Sequence, residues 1–149
     1  MLRLTLATAL ALHPSLTLAC ARPEPPRFDG GSTSGVSVSV GQMADLVWVP
    51  LVLDGLPIAA EAGLWLQVSF DGRVDGGTGC NRFTGIAELD AGVMEFGPLA
   101  VTEMACADPA AMRREAAYLG ALAEVGGFVV SADGMWLTRE DGSVAMCLW

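Results

Sequence analysis

From Leu46 onward, short apolar runs alternate with polar positions, and Asp-Gly pairs punctuate them at 54–55, 71–72, 133–134 and 141–142. Such a pair supplies the positive φ angles of a tight hairpin, so the pattern is that of an antiparallel β protein. The strands it predicts cover residues 46–53, 64–70, 85–89, 93–96, 99–104, 128–131, 135–139 and 143–148. In the second of these, Leu64, Leu66, Val68 and Phe70 share one face and are expected in the core, with Trp65, Gln67 and Ser69 opposite. Trp65 is therefore the tryptophan expected at the surface or along a groove that binds an apolar ligand or partner. Most of the others, Trp48, Trp136 and Trp149, are expected inside.

One helix is predicted between Asp108 and the pair Gly126 and Gly127. Asp108 can accept hydrogen bonds from the free N–H groups of the first turn, Pro109 suits the first helical position, and the glycines end the helix. Met112, Ala116, Leu119 and Ala123, with Leu122 beside them, make an apolar stripe expected to pack on the sheet, leaving Arg113 and Arg114 in solvent. Glu115 falls on that packed face or its margin, where a carboxylate needs a partner. Arg82 is the expected one, because a planar guanidinium satisfies both oxygens. The functional alternative is a protonatable Glu115 in a cavity.

Ahead of the strands the pattern changes twice. Arg3, the apolar run 4–12 and the closing Leu16-Thr17-Leu18-Ala19-Cys20 have the form of a secretory signal over residues 1–19. Cysteine after Leu18-Ala19 has the form of a lipobox, with Thr17 a departure from it, and makes Cys20 the expected lipidation site. Ala19-Cys20-Ala21 can instead be an ordinary cleavage site that releases a soluble protein, and a retained membrane helix is the third reading, opposed by Pro14. Residues 20–45, rich in Pro, Gly and Ser, are expected as a flexible tether, with the alternating 36–40 either a strand or the end of that linker.

Composition narrows the chemistry. The chain has seventeen acidic residues, a net charge of −9, and basic residues that are all arginine, at 3, 22, 27, 73, 82, 113, 114 and 139. The one histidine is His13, inside the signal, so the remainder has neither His nor Lys. A His base, a Ser-His or Cys-His pair, a Lys Schiff base and a P-loop lysine are all excluded there, and no catalytic residue, metal or cofactor is expected. Nucleic acid is disfavoured for want of a basic stripe. Gly76, Gly77, Gly79 and Gly85 are read as turn or bulge positions, since no helix follows them to cradle a phosphate. Asn81, the only asparagine, is read as a structural residue in a bend, with ligand recognition as the alternative. Cys147 is either a packed thiol or a reactive surface one.

Gly79-Cys80-Asn81-Arg82-Phe83-Thr84-Gly85, then Thr102-Glu103-Met104-Ala105-Cys106, then a helix with Met112, Glu115, Leu119 and Leu122, resemble the META domain of the bacterial heat-shock HslJ family. The likeness extends over 46–149. It implies an α+β fold, a curved antiparallel β-sheet or partly open β-barrel with one main helix packed on it. With an oxidising compartment, it also implies a disulfide between Cys80 and Cys106, as against buried free thiols or a reactive nucleophile. Asn81, Arg82, Glu115 and Trp65 are the candidate binding or structural polar site. The expected function is a non-enzymatic envelope accessory or binding lipoprotein, tied to the membrane by its N-terminal lipid. It would face the periplasm from the outer membrane, contribute to envelope stress tolerance, and meet an envelope protein or apolar ligand. The alternatives are a carrier or pilot holding a lipid or acyl chain in an open barrel, and a secreted hydrolase inhibitor.

Overall fold

A computed structural model describes residues 40–149; the signal, Cys20 and most of the expected tether lie outside the described residues. Two antiparallel sheets and one long helix make up the fold, which does not close into a barrel. The first sheet runs in the order β1 (Val47–Trp48), β4 (Leu64–Val68), β5 (Arg73–Thr78), β6 (Arg82–Asp90) and β7 (Val93–Phe96), and β8 (Ala100–Val101) also pairs with β6. The second runs β3 (Leu56–Pro57), β2 (Pro50–Leu53), β11 (Val144–Leu148), β10 (Gly134–Thr138) and β9 (Gly127–Ser131). A short helix α1 (Val40–Met43) precedes them, and α2 (Pro109–Ala123) connects the first sheet to the second.

The Asp-Gly pairs at 54–55, 71–72, 133–134 and 141–142 mark chain reversals, whereas Asp75-Gly76 lies inside β5. At Asp54 and Gly55 both φ angles are positive, 50° and 77°, as the tight turn between β2 and β3 demands. The predicted strand 46–53 is in fact two: β1 joins the first sheet and β2 the second. Val49, between them, exchanges both backbone bonds with Trp149, its N–H donating at 2.7 Å and its carbonyl accepting at 3.0 Å.

Leu64, Leu66 and Val68 lie in the core between the sheets, as their alternation requires. Phe70 does not: β4 ends at Val68, the reversal at Gly72 begins, and the ring is 63% exposed. Trp48 and Trp136 are buried, whereas Trp149 is exposed. Packing begins earlier than residue 46, inside the segment expected as tether. Met43 is 0% exposed, and its carbonyl accepts from Trp48 Nε1 at 3.0 Å.

The helix starts as predicted, with Asp108 Oδ1 accepting from the Ala110 N–H at 2.8 Å and Pro109 at the first position. Its buried stripe, however, is rotated by one residue. Ala111, Tyr118, Ala121 and Leu122 face the core, while Met112, Ala116 and Ala123 are exposed and Leu119 is half-buried. Tyr118 sets this phase. Its ring meets Phe83 edge-on at 5.8 Å between centroids, and its hydroxyl donates to the Trp65 carbonyl at 3.1 Å. An aliphatic pattern does not include this residue. Arg113 is exposed, but Arg114 is half-buried, contrary to expectation.

Burial pushes the Tyr118 hydroxyl far above the ordinary phenol range. The folded state therefore keeps a proton that the unfolded state releases near the ordinary phenol value of about 10, so stability falls as pH rises past that point. The expected slope is about 1.4 kcal/mol per pH unit, and Tyr118→Phe should flatten it. Urea unfolding measured across alkaline pH on both proteins checks this; an unchanged slope in the variant assigns the titration elsewhere.

Candidate functional site

The site is built at the turn between β5 and β6. Gly79 has φ 86°, and a Cβ there would sit 2.0 Å from the Ala62 carbonyl oxygen, so only glycine fits. That tight crossing turns Asn81 inward, where it is 3% exposed. Its Oδ1 accepts from the Met104 N–H at 2.8 Å and the Thr102 hydroxyl at 2.9 Å. Its Nδ2 donates to the Met104 carbonyl at 3.3 Å and to Glu115 Oε1 at 3.2 Å. Every polar atom of the amide is thus used, and the segment after β8 is clamped at Met104.

Thr78 completes the cluster. Its hydroxyl accepts from the Asn81 N–H at 2.9 Å and donates its single proton to Glu115 Oε2. Each oxygen of the half-buried Glu115 therefore has one neutral donor, and none of the ion pairs among the described residues involves it. Arg82 is not its partner. Asn81 and Phe83 point inward, so Arg82 between them points to solvent, by the alternation of a strand. The expectation of an Arg82–Glu115 pair is corrected to a hydroxyl and an amide.

Cys80 and Cys106 form a disulfide, with Cα atoms 6.0 Å apart, which fastens the far end of the same segment to the turn. Trp65 does not join the cluster. Its indole lies over the backbone of Gly77 on the adjacent strand, where a Cβ would meet Nε1 at 2.2 Å, and only its carbonyl reaches α2, through Tyr118. It lines none of the main clefts of the described residues. Cys147 is buried in β11, opposite Trp136 and Val52, and it is not a free thiol, so the packed-thiol and the surface-thiol readings are both corrected.

The rotation of α2 has a second effect. Met112, expected in the core, instead lines a cleft of about 550 Å³ with Leu99, Val101 and Met104; Leu119 packs partly against the core and lines the same cleft, and Asn81 and Glu115 stand at its head. A second cleft of about 410 Å³ shares Leu99, Val101 and Leu119 and continues to Phe96 and Ala123. Together they make one apolar groove along the outer side of α2, opposite β8. Its floor is half-buried, and Met104 and Met112 at the rim are 59% and 44% exposed. Beyond Phe96 and Ala123 the surface turns acidic, with Glu95, Glu124, Glu140 and Asp141. Arg139 is the one cation lining that end, and Glu124 and Asp54 engage its guanidinium and hold its pKa above the ordinary range.

Sequence reasoning found Asn81, Glu115 and both cysteines but missed Thr78, Thr102 and the backbone of Met104. A hydroxyl three residues before a buried asparagine is the one available signal, since it can close the turn from within. In chemical terms the groove offers apolar walls, a clamped loop and a carboxylate without a cation. It presents no nucleophile paired with a base.

A family model described as META domain matches residues 42–148. No curated protein matches the chain. Among solved structures, a protein determined by NMR is 21% identical with a TM-score of 0.59, covering 74% of this chain and 93% of its own. An NMR structure of a protein from Burkholderia xenovorans is 27% identical with a TM-score of 0.56, covering 83% and 96%. A DUF4847 family protein from Bacteroides vulgatus is 11% identical with a TM-score of 0.52, covering 72% and 94%, which bears on the fold alone.

Proposed function

From a chain that belongs to the META domain family, we propose a non-catalytic binding protein of the cell envelope that engages its partner along the outer groove of α2. The observation that carries this reading is the second apolar face of the helix. Met112 is not used in the core and Leu119 packs against it only in part, yet both line a groove whose loop wall is clamped by Asn81 and the Cys80–Cys106 disulfide. A solvent-facing apolar strip on a pre-ordered scaffold marks an interaction site more than a structural need. The absence of His and Lys beyond residue 13 supports a non-enzymatic role.

Export, lipidation at Cys20, an outer-membrane position facing the periplasm and a part in envelope stress tolerance belong to the same proposal. They rest on the N-terminal sequence and the HslJ-like motifs. Mass spectrometry of the protein from a bacterial host separates the cases: a diacylglyceryl Cys20 at the start supports anchoring, and a start at Arg22 makes the protein soluble.

Photo-crosslinking in intact cells tests the site. A photoreactive residue in place of Leu119 or Met112 should give a discrete adduct that the same residue at exposed Ile86 does not. Equal labelling from all three positions overturns the assignment.

The hydrolase-inhibitor alternative keeps one observation in its favour. Met104 is exposed on a loop whose backbone is pinned at both its N–H and its carbonyl, the rigidity such an inhibitor needs. Against the acyl-carrier alternative stands the fully buried packing of Leu66, Val68, Tyr118 and Leu122 beneath the helix.

A further inference from the structure

The groove has a wall that apolar ligands do not need. Phe83 pairs with Val101 and Thr84 with Ala100, and the Thr102 N–H donates to the Arg82 carbonyl at 2.9 Å. Thr102 therefore turns its backbone groups toward β6. By the alternation of an antiparallel ladder, Val101 and Glu103 turn theirs the other way, into the groove. No strand of the described residues pairs with that side of β8. The helix stands across the gap, and the cleft between them is lined by both. A row of alternate N–H and C=O groups beside apolar side chains is what another backbone recognises, and what a lipid chain leaves unpaired.

Charge identifies the occupant further. Glu115 stands at the head of the groove without an ion-pair partner among the described residues, Glu103 lies on its rim, and the far end is acidic. With a net charge of −9, the chain repels a second copy of itself, and equally an anionic lipid surface or a nucleic acid. The brevity of β8 and the charge of Glu103 also guard the edge against pairing with its own kind.

Resting on the groove reading above, we propose that the open edge of β8 accepts an extended segment of a partner polypeptide, apolar at alternate residues and carrying arginine or lysine at the Glu115 end. The added strand pairs with the backbone of Val101 and Glu103, its apolar side chains meet Leu119 and Met112, and its cation pairs with Glu115.

A phage-displayed random dodecapeptide library selected on the full chain tests this. The expected yield is alternating apolar sequences with Arg or Lys toward one end, whose binding perturbs the amide resonances of Val101, Glu103 and Leu119. Val101→Pro removes an N–H that serves no bond to β6, so it should abolish peptide binding while leaving the melting temperature near its original value. Glu115→Gln should weaken the cationic peptides by about tenfold, and a peptide with Glu in place of its Arg should fail to bind. Selected peptides with no basic residue, or unchanged binding to Val101→Pro, overturn the proposal. Lauric acid separates the two levels. If it perturbs Leu119 and Met112 while no peptide is selected, strand addition falls and the groove stands; if neither probe binds and crosslinking from the groove fails, both fall.

Discussion

Asn81→Asp should lower stability by about 3–5 kcal/mol at neutral pH, although it changes a single atom of the side chain. The asparagine Nδ2 donates to Glu115 Oε1 and to the Met104 carbonyl. An aspartate oxygen in that buried place donates nothing and sets a second negative charge against the half-buried Glu115. The sign with pH distinguishes this from simple loss of packing. A proton shared by the two carboxyl groups relieves the repulsion and restores a donor, so the variant should recover part of its deficit as pH falls toward about 4. Adding Glu115→Gln should restore much of the loss at neutral pH, because one charge is gone and an amide can again donate. Urea unfolding of both singles and the double variant, at neutral and acid pH, gives the coupling. Additive losses would show that the amide acts only as a filler of the turn.

The second large effect concerns the disulfide. Replacing both Cys80 and Cys106 by serine opens a loop closed across 26 residues, worth about 3.5 kcal/mol in the chain-entropy model and a drop in melting temperature of roughly 10–20 °C. The folded segment after β8 should keep its shape, because Asn81 still holds Met104 from two sides. Hydrogen exchange can see this directly: the Met104 amide should remain protected in the serine variant and lose protection in Asn81→Asp. Loss of protection in both would mean that the amide clamp depends on the covalent one.

The hairpins were legible because an Asp-Gly pair is a local device, decided by φ angles within two residues. The disulfide was legible from the spacing of the family motifs and the compartment. The phase of α2 was not, since it depends on where one phenol finds an acceptor, and the Trp65 carbonyl lies on a strand far away in sequence. The partner of Glu115 was missed for a related reason. Charge complementarity favours Arg82, but the strand's alternation sends Arg82 outward and brings a threonine and an amide inward instead. The division of 46–53 between two sheets likewise follows from bonds made by Val49 to the opposite end of the described chain. Long-range partners decided each of these, and nothing local records them.

That stitch between Val49 and Trp149 also fixes an order of events during synthesis. The first sheet can assemble from residues 47–101 while the chain is still emerging. The second cannot, because β11 lies between β2 and β10 and brings the last partners that β2 requires. Until residues 144–149 have left the ribosome, β2 has an unfilled edge and the helix has half its bed. By topology the second sheet can close only when β11 is present, so its long-range pairings are expected to form late in folding.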